Sequence, residues 1–481
     1  MRLSDLSMAA RRGAPRTALR RRVRAAAGLA ASVLGTLLFV AACSDSEVPN
    51  FNDPTLDPVV RDDADLQARI SGLLAGDREQ HAFQILILET MGRDAYRIDP
   101  ADPRYINNPL GQFNPSAFIT NFLWNSHYRT IRGALEVVVG VEPAAFLAAA
   151  DKAGANGVAR TVEALQYIRL IEMRDSLGVP INRGTGELDP IRCKAAVLDH
   201  IVALLDDAAT DLAAAGTSFR FTLPAGFSSN GAFNTPAGFL EFNRALKAKA
   251  EIYRGFRDYA RAGATPGTID AAALNSALTA LAASFLDPAG PLRDGVYHVY
   301  STASGDLQNA NFDLSVYRVN PKVITQAEAG DARLAKVRQD PEALRTVEGV
   351  SSDYLFTNIT GPTTPLPIIT NEELILLRAE AYWGLNQDIN ALADVNTIRQ
   401  RAGSLLPVGA FANRLDLLRE ILKQKRYSLL YESGSRVVDY RMFGLFAELG
   451  TERTPPTLGP RALPFPEAET DARGGETACT Q

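Results

Sequence analysis

The sequence predicts a mainly α fold: a tetratricopeptide-like scaffold of helical hairpins that carries long irregular loops. Three observations predict it. Apolar residues recur at helical spacing in eleven segments along the chain. No segment shows the sustained apolar–polar alternation of a half-buried strand. Two neighbouring helical segments, at 371–385 and 388–402, start about 17 residues apart, which gives a hairpin of the roughly 34-residue period of tetratricopeptide repeats.

In chain order, residues 1–24 hold eight arginines and one acid, and 18 weakly apolar residues, Ala25 to Ala42, follow. Gly28, Ser32, Gly35 and Thr36 interrupt that run. It reads as a secretory signal and not as a membrane-spanning helix, which needs about 20 predominantly apolar residues. Val40-Ala41-Ala42-Cys43 resembles the bacterial lipobox, so cleavage is expected before Cys43 and lipidation on its thiol. Two or three acyl chains anchor a protein stably where one does not. Residues 43–63 contain three prolines and many acids and read as a tether. The expected organisation is therefore a signal peptide over 1–42, a flexible tether over 43–63, and a single helical domain over 64–481.

Loss of residues 1–42 takes the formal charge from −5 to −12, which makes the mature chain a poor nucleic-acid binder. About 440 mature residues suffice for a large core. Two cysteines remain, Cys193 and Cys479. A disulfide and two separate thiols are both open readings, because spacing alone does not supply the geometry.

Helices are predicted at 64–75, 79–91, 119–139, 158–177, 192–215, 236–261 and 270–286, then at 371–385, 388–402, 411–432 and 436–447. In the hairpin, Thr370 and Glu373 have capping-box spacing, and Leu374, Leu377, Ala381 and Leu385 form one stripe. Gly384 to Gln387 supply the turn, and Asp388 is placed to cap the second helix, whose Leu392, Val395, Ile398 and Ala402 point inward. Neither stripe can be buried alone, so the pair at 158–177 and 192–215 is expected to stack in the same scaffold.

Between these helices run long irregular stretches at 93–117, 216–235, 287–325 and 340–368, lengths usually reserved for function or disorder. Their composition is not that of disorder. Tyr96, Tyr105 and Asn107 in the first, with Tyr297, Tyr300 and Phe312 in the third, make a mixed lining of rings and amides. Rings stack on the CH faces of a sugar and amides pair with its hydroxyls, so these six are the candidate ligand residues. The competing role for each ring is to pin its loop to the helices.

Catalytic motifs are missing: the sequence has no GxSxG, P-loop, HExxH or paired CxxC. His81, His127, His200 and His298 are scattered, and Asp206 and Asp207, adjacent on a helix, point about 100° apart. Trp124 and Trp383 fall inside helices and read as core or interface anchors. The expectation is a protein that is not an enzyme, with no metal and no cofactor.

The segment ELILLRAEAYWGLNQDINALADVNTIRQRAG, with Arg378, Glu380 and Arg399, closely resembles the signature of the SusD/RagB family. RYSLLYESGSRVVDYRMFG resembles a second family segment, with Glu432, Arg436, Asp439 and Arg441 in matching order, and LPFPEAE resembles the closing motif. This chain departs from the pattern at Gln424, Lys425, Ser428 and Val437 and has one extra residue in ESGSR. By spacing, Glu432, Arg436 and Asp439 suit ion pairs and caps that lock one helix turn onto its neighbour, so they report fold and not ligand. The resemblance implies a lipid-anchored outer-membrane protein that captures an oligosaccharide, or a peptide, and delivers it to a SusC-like TonB-dependent transporter. Asp45 and Glu47, just after the lipid site, resemble the acidic surface-export signals of such lipoproteins. The alternatives are a tetratricopeptide-like scaffold lipoprotein that binds other proteins and, third, a secreted glycan hydrolase.

Overall fold

The computed structural model describes residues 59–185, 188–260, 266–451 and 459–479. The expected signal peptide, Cys43 and most of the tether lie outside the described residues. Thirteen helices follow in order among them: α1 (Asp63–Met91), α2 (Arg104–Leu110), α3 (Phe118–Val141), α4 (Ala149–Arg174), α5 (Lys194–Ala214), α6 (Pro236–Gly255), α7 (Ala271–Ala282), α8 (Pro321–Thr325), α9 (Asn371–Gly384), α10 (Asp388–Arg401), α11 (Arg414–Ser428), α12 (Ser435–Met442) and α13 (Glu467–Ala472). The long helices stack as neighbours, α1 on α3, α3 on α4, α4 on α5, α5 on α6 and α6 on α7, and α7 then meets the α9–α10 hairpin. This is the mainly α, tetratricopeptide-like scaffold that the periodicity predicts.

Two expected helices, 64–75 and 79–91, are one 29-residue helix, α1. The expected gap falls at Gly76, where an added Cβ would lie 2.9 Å from Thr130 Oγ1 on α3. Close packing there outweighs the ~1 kcal/mol that glycine costs a helix relative to alanine.

The hairpin forms with one change. Thr370 caps α9 by accepting from the Glu373 N–H at 3.4 Å. Asp388 does not cap α10; the cap residue is Gln387, and the Asp388 carboxylate pairs with Arg414 at 3.1 Å. A third helix, α11, packs on both members of the hairpin and supplies a cation that outcompetes the cap.

The motif residues pair across the fold and not within their own helix turns, which corrects the local locking read from their spacing. Arg378 grips Asp394 with two bonds of 2.9 and 2.6 Å across the hairpin. Arg399 reaches Glu328 at 2.7 Å and also Glu420, Glu432 reaches Arg293 at 2.6 Å, and Arg436 reaches Asp94 at 2.8 Å. Lys425 lies between Glu380 at 2.8 Å and Asp439 at 2.9 Å. Burial works against the Lys425 charge, and the two carboxylates overcome it and hold the ammonium above its usual range. Burial, with Asp439 nearby, pushes the Glu380 carboxyl up to about 7. The extra residue of ESGSR has a role here. Gly434 takes φ +67°, where an added Cβ would meet Leu88 at 2.5 Å, and its N–H donates to Glu89 Oε1 at 3.1 Å.

Strands were not expected, and ten short ones occur among the described residues. β1 (Ala95–Arg97), β5 (Tyr317–Val319), β9 (Tyr354–Phe356) and β6 (Val337–Gln339) form a four-stranded antiparallel sheet in that order. Three pairs complete the set: β4 (Gly295–His298) with β10 (Leu366–Thr370), β2 (Val179–Pro180) with β3 (Ile191–Arg192), and β7 (Arg345–Val347) with β8 (Val350–Ser352). At two to five residues each, they are too short for a period-2 pattern to register. Cys193 and Cys479 form a disulfide with Cα atoms 5.2 Å apart, which resolves the open reading and ties the C-terminal tail to the start of α5.

Candidate functional site

The two loops that sequence reasoning paired, 93–117 and 287–325, meet in the structure. β1 lies antiparallel to β5 with Tyr96 opposite Arg318. The contact is extended at both ends, by Ile98 N–H to Val316 O at 2.8 Å and Asn320 N–H to Asp94 O at 2.9 Å. Loops separated by roughly 200 residues thus become one face.

Most of the predicted rings are inside that face and not on it. Tyr96, Tyr297, Tyr300 and Tyr105 are only 1%, 4%, 7% and 8% exposed. The Tyr96 hydroxyl accepts from Asn320 Nδ2 at 2.7 Å, which holds β1 to the start of α8. The Tyr297 hydroxyl donates to Arg293 O at 2.7 Å, and burial pushes it up to about 12. Gly226 lies so close that an added Cβ would fall 1.8 Å from the Tyr297 carbonyl oxygen. Tyr300 is enclosed, and burial raises its hydroxyl above the normal tyrosine range. Tyr96, Tyr297 and Tyr300 therefore have no ring face open for stacking. They act as loop anchors, and apolar burial is the reason.

Tyr105, buried and covered by Arg97, is a fourth anchor, whereas Asn107 and Phe312 are differently placed. Asn107 and Phe312 are half-buried. Tyr105 meets Phe118 edge-on at 5.5 Å between centroids and Phe83 at 6.1 Å, and Phe83 in turn meets Phe122 at 5.4 Å. Phe83, Phe118 and Phe122 are each half-buried. Two guanidinium groups cover this cluster: Arg97 lies 3.9 Å above the Tyr105 ring and Arg104 lies 4.5 Å above Phe118. Each is held by an acid, Arg97 by Asp99 at 2.8 Å and Arg104 by Asp102 at 2.7 and 2.8 Å. Asn311 Nδ2 donates to Ala82 O at 2.7 Å, which sets the turn ending in Phe312 against the part of α1 that carries Phe83.

The result is a rim of rings edged by two arginines and two carboxylates, a mix that offers stacking, donors and acceptors together. Sequence reasoning missed Phe83, Arg97, Arg104, Phe118 and Phe122. Phe118 and Phe122 do stand four apart on one helix face, but nothing local connects them to Phe83 on α1. Three of the four histidines have polar structural partners, His81 2.8 Å from Pro367 O, His127 Nδ1 2.8 Å from Gln166 Oε1 and His298 Nε2 2.9 Å from Asp77, and His200 packs edge-on against Tyr167 at 5.2 Å. Asp206 pairs with Arg244 and Lys247. Trp383 donates to Arg414 O at 2.7 Å within the core.

No family model matches the chain, and no curated protein matches it. Solved structures do. The chain is similar to a SusD superfamily protein from Bacteroides thetaiotaomicron, with TM-score 0.63, 15% identity, and 87% of this chain and 100% of that chain covered. It is similar to NanU of Bacteroides fragilis, with TM-score 0.59, 16% identity, and 86% and 95% covered. It is also similar to a protein crystallised with a xylogluco-oligosaccharide, with TM-score 0.60, 16% identity, and 80% and 85% covered. At these identities the likeness establishes the fold, which is that of the SusD superfamily.

Proposed function

We propose that this chain, with its SusD superfamily fold, is a non-enzymatic, lipid-anchored outer-membrane protein that captures oligosaccharide at the cell surface. The single observation that carries the reading is the loop face: β1–β5 pairing brings two distant loops into one rim of rings and arginines. Oligosaccharide occupies a structure of the same fold, which supports a glycan as the ligand class. Asn107 and Phe312, with Arg97, Arg104 and Phe118, contact the ligand, and Tyr96, Tyr105, Tyr297 and Tyr300 hold the loops in register.

Delivery to a SusC-like TonB-dependent transporter completes the proposal. The lipobox at Val40–Cys43 supplies the anchor, and no helix of the described residues is long and apolar enough to cross a membrane. The signal peptide over 1–42, the tether over 43–63 and the single domain over 64–481 belong to the same reading.

Three experiments test it. Titration with xylogluco- and malto-oligosaccharides by calorimetry should give saturable binding that Phe118→Ala weakens by roughly tenfold, the effect of losing one stacked ring. Binding that ignores Phe118→Ala, Arg104→Ala and Phe312→Ala together would move the site elsewhere. Cys43→Ser should release the protein from membranes, and gentle detergent extraction of the native protein should recover a SusC-type transporter with it.

A further inference from the structure

We infer that a second pocket, built for one neutral sugar ring, lies on the side of α3 turned away from the loop face. The inference rests on the proposed glycan-binding reading and adds a site to it. Phe122 faces the loop cluster, and Trp124, two residues on, is about 200° around the helix. There a cavity of about 240 Å³ is lined by Trp124, Tyr128, Asn182, Leu188, Glu469 and Arg473, among others. That volume is below the ~300–1,000 Å³ of sites for drug-sized ligands, which suits a single ring.

The walls come from three parts of the chain and are fixed. Trp124 and Tyr128 lie 4.6 Å apart, and the Tyr128 hydroxyl donates to Pro180 O at 2.7 Å. Asn182 Oδ1 accepts from the Gly184 N–H at 2.8 Å, which fixes this side chain in the lining. Arg473 donates through Nε to Glu469 Oε2 at 3.3 Å and through Nη1 to Asp189 O at 2.5 Å. These bonds leave the second terminal nitrogen of Arg473 and the other oxygen of Glu469 for a ligand. The tail bearing both is stapled at Cys479 and held by Arg174, which donates to Leu463 O at 2.8 Å and to Thr477 O at 3.2 Å. Leu188, 59% exposed, stands at the rim as an apolar lip.

Tyr128, half-buried, is the ring that faces the cavity, with Trp124 packed behind it, and one ring with one donor–acceptor pair matches the CH face and adjacent hydroxyls of a pyranose. Among the lining residues the Glu469 and Asp189 carboxylates balance Arg473 and the Arg183 partner of Asp189, and Arg174, behind the Trp124 wall, spends its donors on the carbonyls of Gly178, Leu463 and Thr477, so no cation is presented to an acidic sugar. The ligand class is therefore a neutral hexopyranoside, not a uronate.

The test titrates the intact mature protein with methyl β-D-glucopyranoside, methyl β-D-galactopyranoside and D-glucuronate. Tryptophan emission and saturation-transfer NMR are the readouts, with circular dichroism as the folding control. A neutral glycoside should saturate, glucuronate should not, and Glu469→Gln with Arg473→Ala should weaken binding at least tenfold. Asn182→Ala, which leaves the tail bonds untouched, should weaken it severalfold, and Phe118→Ala should leave it unchanged. Absence of saturation by either glycoside, or loss through Phe118→Ala and not through the pocket variants, overturns the pocket. If an oligosaccharide still binds the loop face when the pocket fails, the proposed function stands; if neither binds, both fall.

Discussion

Lys425 and Arg104 are both cations gripped by carboxylates, and they sit in opposite settings. Lys425, in the scaffold, is 1% exposed, with Glu380 and Asp439 at 2.8 and 2.9 Å. Arg104, on the loop face, is 56% exposed, with Asp102 at 2.7 Å. If Lys425 is removed, two buried carboxylates lose their counter-ion and no water can reach them. If Arg104 is removed, water takes its place. The same pair chemistry is thus a constraint on folding in one region and part of an adjustable solvent-facing surface in the other. This difference explains why the motif residues report the fold, and why the rim can change without cost to it.

The strongest challenge to this contrast is Lys425→Met. It should destabilise the protein by about 3–5 kcal/mol, read as a lowered denaturant midpoint, because a buried charge is left unpaired. A loss under about 1 kcal/mol would show that water enters the scaffold and that the two regions are alike. Cys193→Ser comes next. The disulfide joins residues 286 apart in sequence, and its loss should cost about 2–4 kcal/mol. Oligosaccharide binding at the loop face should be unchanged, since that face is built on other elements.

A third test uses pH. Burial pushes the Glu163 carboxyl up to about 8, with Arg160 opposing. The folded protein therefore keeps this proton over a range where the unfolded chain, with an ordinary glutamate near 4.5, has released it. Glu163 contributes stability that is fully present below about pH 4.5, declines as pH rises towards 8 and stays lost above it. The slope for one group is at most ~1.4 kcal/mol per pH unit. Glu163→Gln should flatten the stability profile between those values and gain on the native protein at pH 8. A profile identical to the native one would place Glu163 in contact with water. The smallest effect on folding belongs to Arg104→Ala, which should leave the denaturation midpoint where it is while weakening oligosaccharide binding severalfold. If the midpoint drops as for Lys425→Met, the loop face is scaffold and the contrast fails.

Much of the scaffold was legible because helical periodicity is local. Leu374, Leu377 and Ala381 announce α9, and Val395 and Ile398 announce α10, from residues three or four apart. The candidate site was legible only in part. Aromatic and amide enrichment picked out two loops that the fold brings together, yet it could not tell a ring that anchors from a ring that faces solvent. Tyr96 and Phe312 look equivalent in sequence, and only distant partners separate their surroundings: Asn320 bonds the Tyr96 hydroxyl, while Ala82 holds Asn311, the neighbour of Phe312.

By itself, then, the sequence determined the helices, their hairpin pairing and the segments that meet in the loop face. Each of these is written in residues close together along the chain. Tertiary structure alone decided that β1 pairs with β5, that Asp94 receives Arg426 and Arg436, and that Cys193 meets Cys479. It alone gathered Phe83, Tyr105 and Phe118 under two arginines. Strands of three residues carry no period, and partners hundreds of residues apart carry no spacing. Their meeting is fixed by which helix faces bury together, and that is a property of the whole packed chain.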